Sequence, residues 1–217
     1  MTLVRDIKAD VSSRVGITDS PDGLSDLSKP GIGAMVWQRS PTPGFQSWID
    51  TLPPDQLPQT RTILRPHAVR DAMLNICESS GTPDGPERAR LIDDVAALAD
   101  IFGNLMKATW LRLRLDVVTT NACRRFHIDA VTARLVCTYR GTGTQYGVLA
   151  ETDEPDHIFT VPTGAPILLR GTRWPDQSAS RLVHRSPPIE GSGETRLLLV
   201  LDPVVEPEAE PDQIYVH

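Results

Sequence analysis

The residues best placed to do chemistry lie in one short run, Cys123-Arg124-Arg125-Phe126-His127-Ile128-Asp129. In an extended strand, side chains two positions apart leave the same face. A His-x-Asp pair there delivers an imidazole and a carboxylate to one point from one rigid element, and those two groups together suit a divalent metal. The pair alone is unspecific, because a chain with five histidines meets it readily by chance. Two later residues give it context. His184 sits in Leu182-Val183-His184-Arg185-Ser186-Pro187-Pro188, and Arg196 opens the apolar run that ends at Leu201. An arginine fork matches a carboxylate in shape and charge.

These residues need a scaffold, and the rest of the chain indicates its kind. The 217 residues are 40% hydrophobic and 23% charged, an ordinary globular balance. A net charge of −6 argues against nucleic acid or an anionic membrane as partner. No apolar run is long enough to span a bilayer, and the first residues lack the apolar core of a signal peptide. The three cysteines, Cys77, Cys123 and Cys137, form no disulfide framework, so free thiols in a reducing cytoplasm are expected.

Nineteen prolines and fifteen glycines suit short strands and turns better than a helical bundle. Ala34–Trp37 reads as a strand and Phe45–Leu52 as a short helix. A helical pattern follows Pro66 through Val69, Met73, Leu74 and Cys77 until Gly81 breaks it. Pro86 opens a longer helix to about residue 107, with Leu91, Val95, Leu98, Phe102 and Leu105 at helical spacing. The period then changes to two. Leu111-Arg112-Leu113-Arg114-Leu115-Asp116-Val117 alternates as a strand with one wet face does. Further short strands are expected at 134–139, 157–161, 166–169, 182–185 and 195–201. Helices followed by many short strands predict an α+β chain whose helices back a barrel or sandwich. Residues 1–60 are expected to be an irregular lead-in wrapping the core, 61–108 a helical layer, 109–205 the barrel and 206–217 an acidic tail, with 61–205 as one domain.

The order His-x-Asp, a long gap, His, then a basic residue on the last strand resembles the Fe(II)/2-oxoglutarate-dependent oxygenases. That resemblance implies a double-stranded β-helix of the jelly-roll or cupin-like kind, with His127, Asp129 and His184 as ligands of Fe(II). It implies that Arg196 holds the far carboxylate of 2-oxoglutarate, with a hydroxyl from Tyr139 or Thr138 beside it. Whether Arg196 faces inward is open. A hairpin centred between Gly191 and Ser192 pairs His184 with Leu199 and turns Arg196 out, whereas one centred on Ser192 pairs His184 with Val200 and turns it in. A small molecule or peptide is the expected substrate, met by Arg125, Gln145 and Tyr146 at the barrel mouth.

Cys123 departs from that pattern. A thiolate near His127 favours Zn(II) over iron and allows a non-enzymatic zinc-binding barrel as the alternative. Over most of its length the chain also resembles a family of bacterial proteins of unknown function, through CRRFHID, RLVCTYRGTGTQY and LVHRSPP. That resemblance implies a place beside zinc-homeostasis genes, and so a metallochaperone as possible partner. A third reading is a degenerate barrel that binds protein, with His127 and Asp129 merely hydrogen-bonded.

Overall fold

The computed structural model describes residues 14–149, 154–175, 181–207 and 214–215. The strands are β1 (Val15–Thr18), β2 (Ala34–Trp37), β3 (Thr60–Leu64), β4 (Trp110–Val118), β5 (Ala133–Arg140), β6 (Gln145–Val148), β7 (Phe159–Thr160), β8 (Pro166–Arg170), β9 (Leu182–Arg185), β10 (Arg196–Val204) and β11 (Ile214–Tyr215). The α-helices are α1 (Pro43–Thr51), α2 (Val69–Ser79) and α3 (Pro86–Met106), with a 3₁₀ segment at Pro21–Ser28. Eight strands form one sheet in the order β1-β2-β8-β5-β10-β4-β3-β11, and three form a second in the order β7-β6-β9. Pairing is antiparallel except at the two edges of the large sheet, β1 with β2 and β3 with β11. The chain is thus a mixed α and β fold around a large, mostly antiparallel sheet.

Local chemistry accounts for the elements. Pro86 and Glu87 occupy the first turn of α3, where a missing N–H is harmless and an acidic side chain faces the positive end of the helix dipole. Leu91, Val95, Leu98, Ala99 and Phe102 then form its buried stripe. Lys107 ends it in the left-handed region, its N–H turned back to the carbonyls of Gly103 and Asn104.

The large sheet has two apolar faces. Leu197, Leu199 and Leu201 of β10, with Leu135, Cys137 and Tyr139 of β5, belong to one cluster with buried residues of all three α-helices. Leu198 and Val200 of β10, with Val136 of β5, belong to a second cluster that includes Tyr146 and Leu182 of the small sheet. A strand buried on both faces reads as a continuous apolar run, as Leu197–Leu201 does.

Several elements lie where the sequence reading left loops. β1 and β3 extend the large sheet from within the first 64 residues, and β6 adds a strand between those expected at 134–139 and 157–161. Of the acidic tail, only residues 206–207 and β11 fall within the described residues. The hairpin assumed between His184 and Arg196 is corrected. β9 pairs with β6 in the small sheet, while β10 lies between β5 and β4 in the large one. Pro187 and Pro188 cannot donate to a ladder, so the chain leaves the small sheet there and crosses over.

Candidate metal centre

His127 and Asp129 do not sit on a regular strand, as the sequence reading assumed. They lie on the connection between β4 and β5, held at one point to β9. His127 forms an isolated antiparallel bridge with His184, each donating its backbone N–H to the other's carbonyl at 3.0 Å. The same connection is strapped to the turn after β8, where Gly171 N–H donates to Thr132 O and Thr172 N–H to Asp129 O, both at 2.9 Å. Backbone pairing therefore brings the three side chains together.

Their ligand atoms all lie within 4.8 Å of one another, and among the described residues they are the one such group of three or more His, Cys, Asp or Glu. Nε2 of His184 is 3.0 Å from Oδ2 of Asp129, and Nε2 of His127 is 3.5 Å from Oδ1. Nδ1 of His127 lies 2.8 Å from the carbonyl of Arg125. That carbonyl can only accept, so Nδ1 carries the proton and Nε2 presents its lone pair to the centre. Asp129 Oδ2 is buried and makes no hydrogen bond despite its nearness to His184. A buried carboxylate oxygen without a hydrogen bond, beside one imidazole and close to a second, is a donor arrangement that a divalent cation satisfies.

The three groups are electrostatically coupled, and the two imidazoles shift in opposite directions. Burial works against the charge on Asp129, yet the neighbouring His127, His184 and Arg134 outweigh it and hold the carboxyl well below its ordinary range. His127 is raised, chiefly by its contact with Asp129. His184 is lowered, chiefly by burial, which favours the neutral ring that can coordinate.

The group opens on a cavity of about 160 Å³. Val118, Val136, Leu198 and Val200 supply apolar wall, and Arg114, Asp116 and Arg185 supply charge. Arg114 and Asp116 belong to the face of β4 expected to be wet. That face is turned to the cavity, while Leu111, Leu113 and Leu115 enter the helix-side core.

Arg196 pairs with Val118 on β4, on the same face as the Leu198–Asp116 and Val200–Arg114 rungs that line the cavity. It is 0% exposed. Nε donates to the Thr142 carbonyl at 2.6 Å, while Nη1 and Nη2 have no partner. Burial pushes its guanidinium down to about 10, with Glu194 pulling the other way. A fork buried and unpaired is a costly feature that a bound carboxylate would relieve.

The other candidates divide. Thr138 pairs with Leu198 on the cavity side of β5. Tyr139 points the other way: its hydroxyl donates to Asp94 of α3 at 2.7 Å inside the helix-side core, so it is not at the site. The ladder skips Tyr139, which pairs with no residue of β10, and its side chain lies on the helix side of the sheet. Tyr146 stands opposite His184 and stacks on Phe159, with centroids 5.6 Å apart. Gln145 accepts from Arg185 at 2.8 Å, and the Arg125 side chain is exposed. Cys123 lines the cavity but is not in the ligand group. Arg134 and Asp202, which join the centre through Asp129, were not anticipated. The one signal for Asp202 was a carboxylate ending an otherwise apolar run.

No helix among the described residues is long and apolar enough to cross a membrane. No curated protein matches the sequence. Among solved structures, the fold is similar to the dioxygenase for auxin oxidation 1 of Arabidopsis thaliana, determined as a 2-oxoglutarate complex, with TM-score 0.54 at 10% identity over 92% of this chain and 95% of that one. It is also similar to the rice dioxygenase for auxin oxidation, with TM-score 0.50 at 12% identity over 90% of this chain and 84% of that one. At such identities the likeness is one of fold. A family profile described as "Protein of unknown function (DUF1826)" matches residues 18–202, and the chain belongs to that family.

Proposed function

We propose that this chain is an Fe(II)- and 2-oxoglutarate-dependent oxygenase on a double-stranded β-helix, acting on a small molecule or peptide. The observation that carries the reading is Arg196, a fully buried guanidinium with two unpaired nitrogens on the same sheet face that lines the His127–Asp129–His184 cavity. The ligand group alone would suit several metals. Two imidazoles and one carboxylate with positions left open favour non-haem Fe(II), and a carboxylate anchor beside them favours a keto-acid co-substrate. The neighbours' fold is consistent with this. Zinc has less support, because Cys123 lies outside the ligand group. Residues 61–205 form the working domain in this reading, with β1, β2 and α1 from residues 14–60 packed against it.

Iron with 2-oxoglutarate supplies O₂ activation, coupling decarboxylation of the keto acid to oxidation of a substrate C–H bond. The chain's own part is to hold and to shield. His127 Nε2, His184 Nε2 and Asp129 Oδ2 provide the ligands, with the Arg125 carbonyl fixing the His127 tautomer. Arg196 pairs with the far carboxylate of the keto acid, and Thr138 offers it a hydroxyl. Val118, Val136, Leu198 and Val200 exclude water from the cavity. Arg125, Gln145 and Tyr146 are the residues that would meet substrate in this reading.

Anaerobic titration of metal-free protein with Fe(II) and 2-oxoglutarate tests this. A weak visible charge-transfer band should appear, vanish in His184→Ala and weaken in Arg196→Ala. Stoichiometric zinc in the purified protein with no such band would overturn the proposal.

A further inference from the structure

Asp129 is held by more than its position in the chain. Arg134, five residues on in β5, turns its guanidinium between two carboxylates. Nε and Nη2 form a fork on Asp202, donating to Oδ1 at 2.6 Å and to Oδ2 at 2.8 Å. Nη1 donates to Oδ1 of Asp129. Asp202 is 1% exposed at the far part of β10, with Arg112 Nη1 at 3.8 Å and Arg114 Nη2 at 3.6 Å from its Oδ2. The bridge thus has a buried, charge-compensated foot and a single free arm, and that arm rests on one oxygen of Asp129. The other oxygen, Oδ2, is the buried atom without a hydrogen bond.

We propose that Arg134, anchored by Asp202, is a positioning residue that makes Asp129 a one-oxygen ligand. With Oδ1 occupied by a charge-assisted hydrogen bond, the carboxylate cannot swing to offer both oxygens to one cation. The coordination position that a second oxygen would take stays open for co-substrate. The inference rests on the metal reading above and deepens it, because it concerns how many donors the protein contributes.

A planar fork sets this geometry and a point charge does not. Arg134→Lys therefore keeps the charge and loses the brace, whereas Asp202→Asn keeps the side-chain shape and weakens the anchor. Partners of this kind change metal affinity by roughly 10–100-fold when removed.

Cobalt(II) is the probe, since its visible absorption weakens as coordination number rises. Wild-type protein, Arg134→Met, Arg134→Lys and Asp202→Asn would be titrated with Co(II) alone, and folding checked by circular dichroism. The expected result is a lower molar absorbance and roughly 10–100-fold weaker Co(II) binding in Arg134→Met, with no rescue by Lys. Asp202→Asn should shift both readouts in the same direction, and the Arg134→Met/Asp202→Asn pair should be non-additive, as for residues in one network. Folded Arg134 variants with the wild-type spectrum and affinity would overturn the proposal, and so would additive effects on affinity. If Arg134→Met does not fold, Arg134→Lys and Asp202→Asn decide by the same spectrum. A wild-type protein that binds no Co(II) removes the metal reading itself, and this inference with it, a result distinct from variants that bind normally.

Discussion

Gly171 offers the sharpest test of how the centre is assembled. It follows β8, and its backbone lies against the segment carrying Asp129. A Cβ at this position would stand 1.9 Å from the Val131 carbonyl oxygen and 2.8 Å from that of Asp129. Real Cβ contacts do not fall below 3.0 Å, so in Gly171→Ala the segment must retreat by at least about 1.1 Å, the difference of those two distances. Both obstructing atoms are backbone, with no flexible side chain to give way. Outside the left-handed region such a substitution ordinarily stabilises by about 0.4–1 kcal/mol through the unfolded chain. Overpacking costs about 1–3 kcal/mol. The net is a loss on the order of 1–2 kcal/mol, or roughly 2–8 °C in Tm for a domain of this size. The larger effect falls on the metal. Moving Asp129 out of bonding range should weaken Co(II) or Fe(II) binding by roughly 10–100-fold, comparable to losing a partner of a ligand. Thermal melting by circular dichroism and anaerobic metal titration read the two effects separately. A Gly171→Ala protein that melts at or above the wild-type temperature and binds metal with unchanged affinity would refute the reasoning.

Arg196→Met should weaken 2-oxoglutarate binding, followed by calorimetry on metal-loaded protein. It should also raise the stability of the ligand-free protein by about 1–3 kcal/mol, because an apolar side chain replaces a buried, unpaired fork. Tyr139→Phe should cost about 1 kcal/mol in denaturant unfolding, from the lost bond to Asp94, and leave metal and keto-acid binding unchanged. Cys123 is exposed while Cys77 and Cys137 are buried, so one thiol should react with a thiol reagent in native protein and three after unfolding. Metal loading should not protect Cys123. Burial pushes Cys77 up to about 11 and Cys137 up to about 12 from 9.0. A raised thiol pKa means that the unfolded state loses its proton first, so stability should fall as pH climbs from 9 toward 12. A flat unfolding midpoint across that range would contradict the burial of both thiols.

The candidate ligands are legible because metal chemistry restricts residue type. His127, Asp129 and His184 stood out by kind and order before any geometry was known, and the helices at 69–79 and 86–106 by their period. What the sequence hid was facing. Thr138 and Tyr139 are neighbours on β5, and only the sheet's two apolar layers decide which meets the cavity. Both hairpin registers weighed for Arg196 assumed that β9 and β10 pair, and a crossover between sheets leaves only an ambiguous trace in Pro187-Pro188. Arg134 and Asp202 looked like ordinary strand-end charges, because a bridge between distant carboxylates has no local pattern. Gly171 was invisible for the same reason: its contact is with another segment's backbone.

The alternation in β4 has an evolutionary consequence. Its leucines at 111, 113 and 115 enter the core, and its charges at 112, 114 and 116 share the opposite face. Substitutions within either set can change stability or reactivity one at a time. A single-residue insertion or deletion in this strand would exchange the two sets at once, burying arginines among helices and lining the cavity with leucine. The strand therefore behaves like a reading frame. Drift by substitution is open to it, while length variation is barred except in steps of two, and indels should accumulate in the connections on either side.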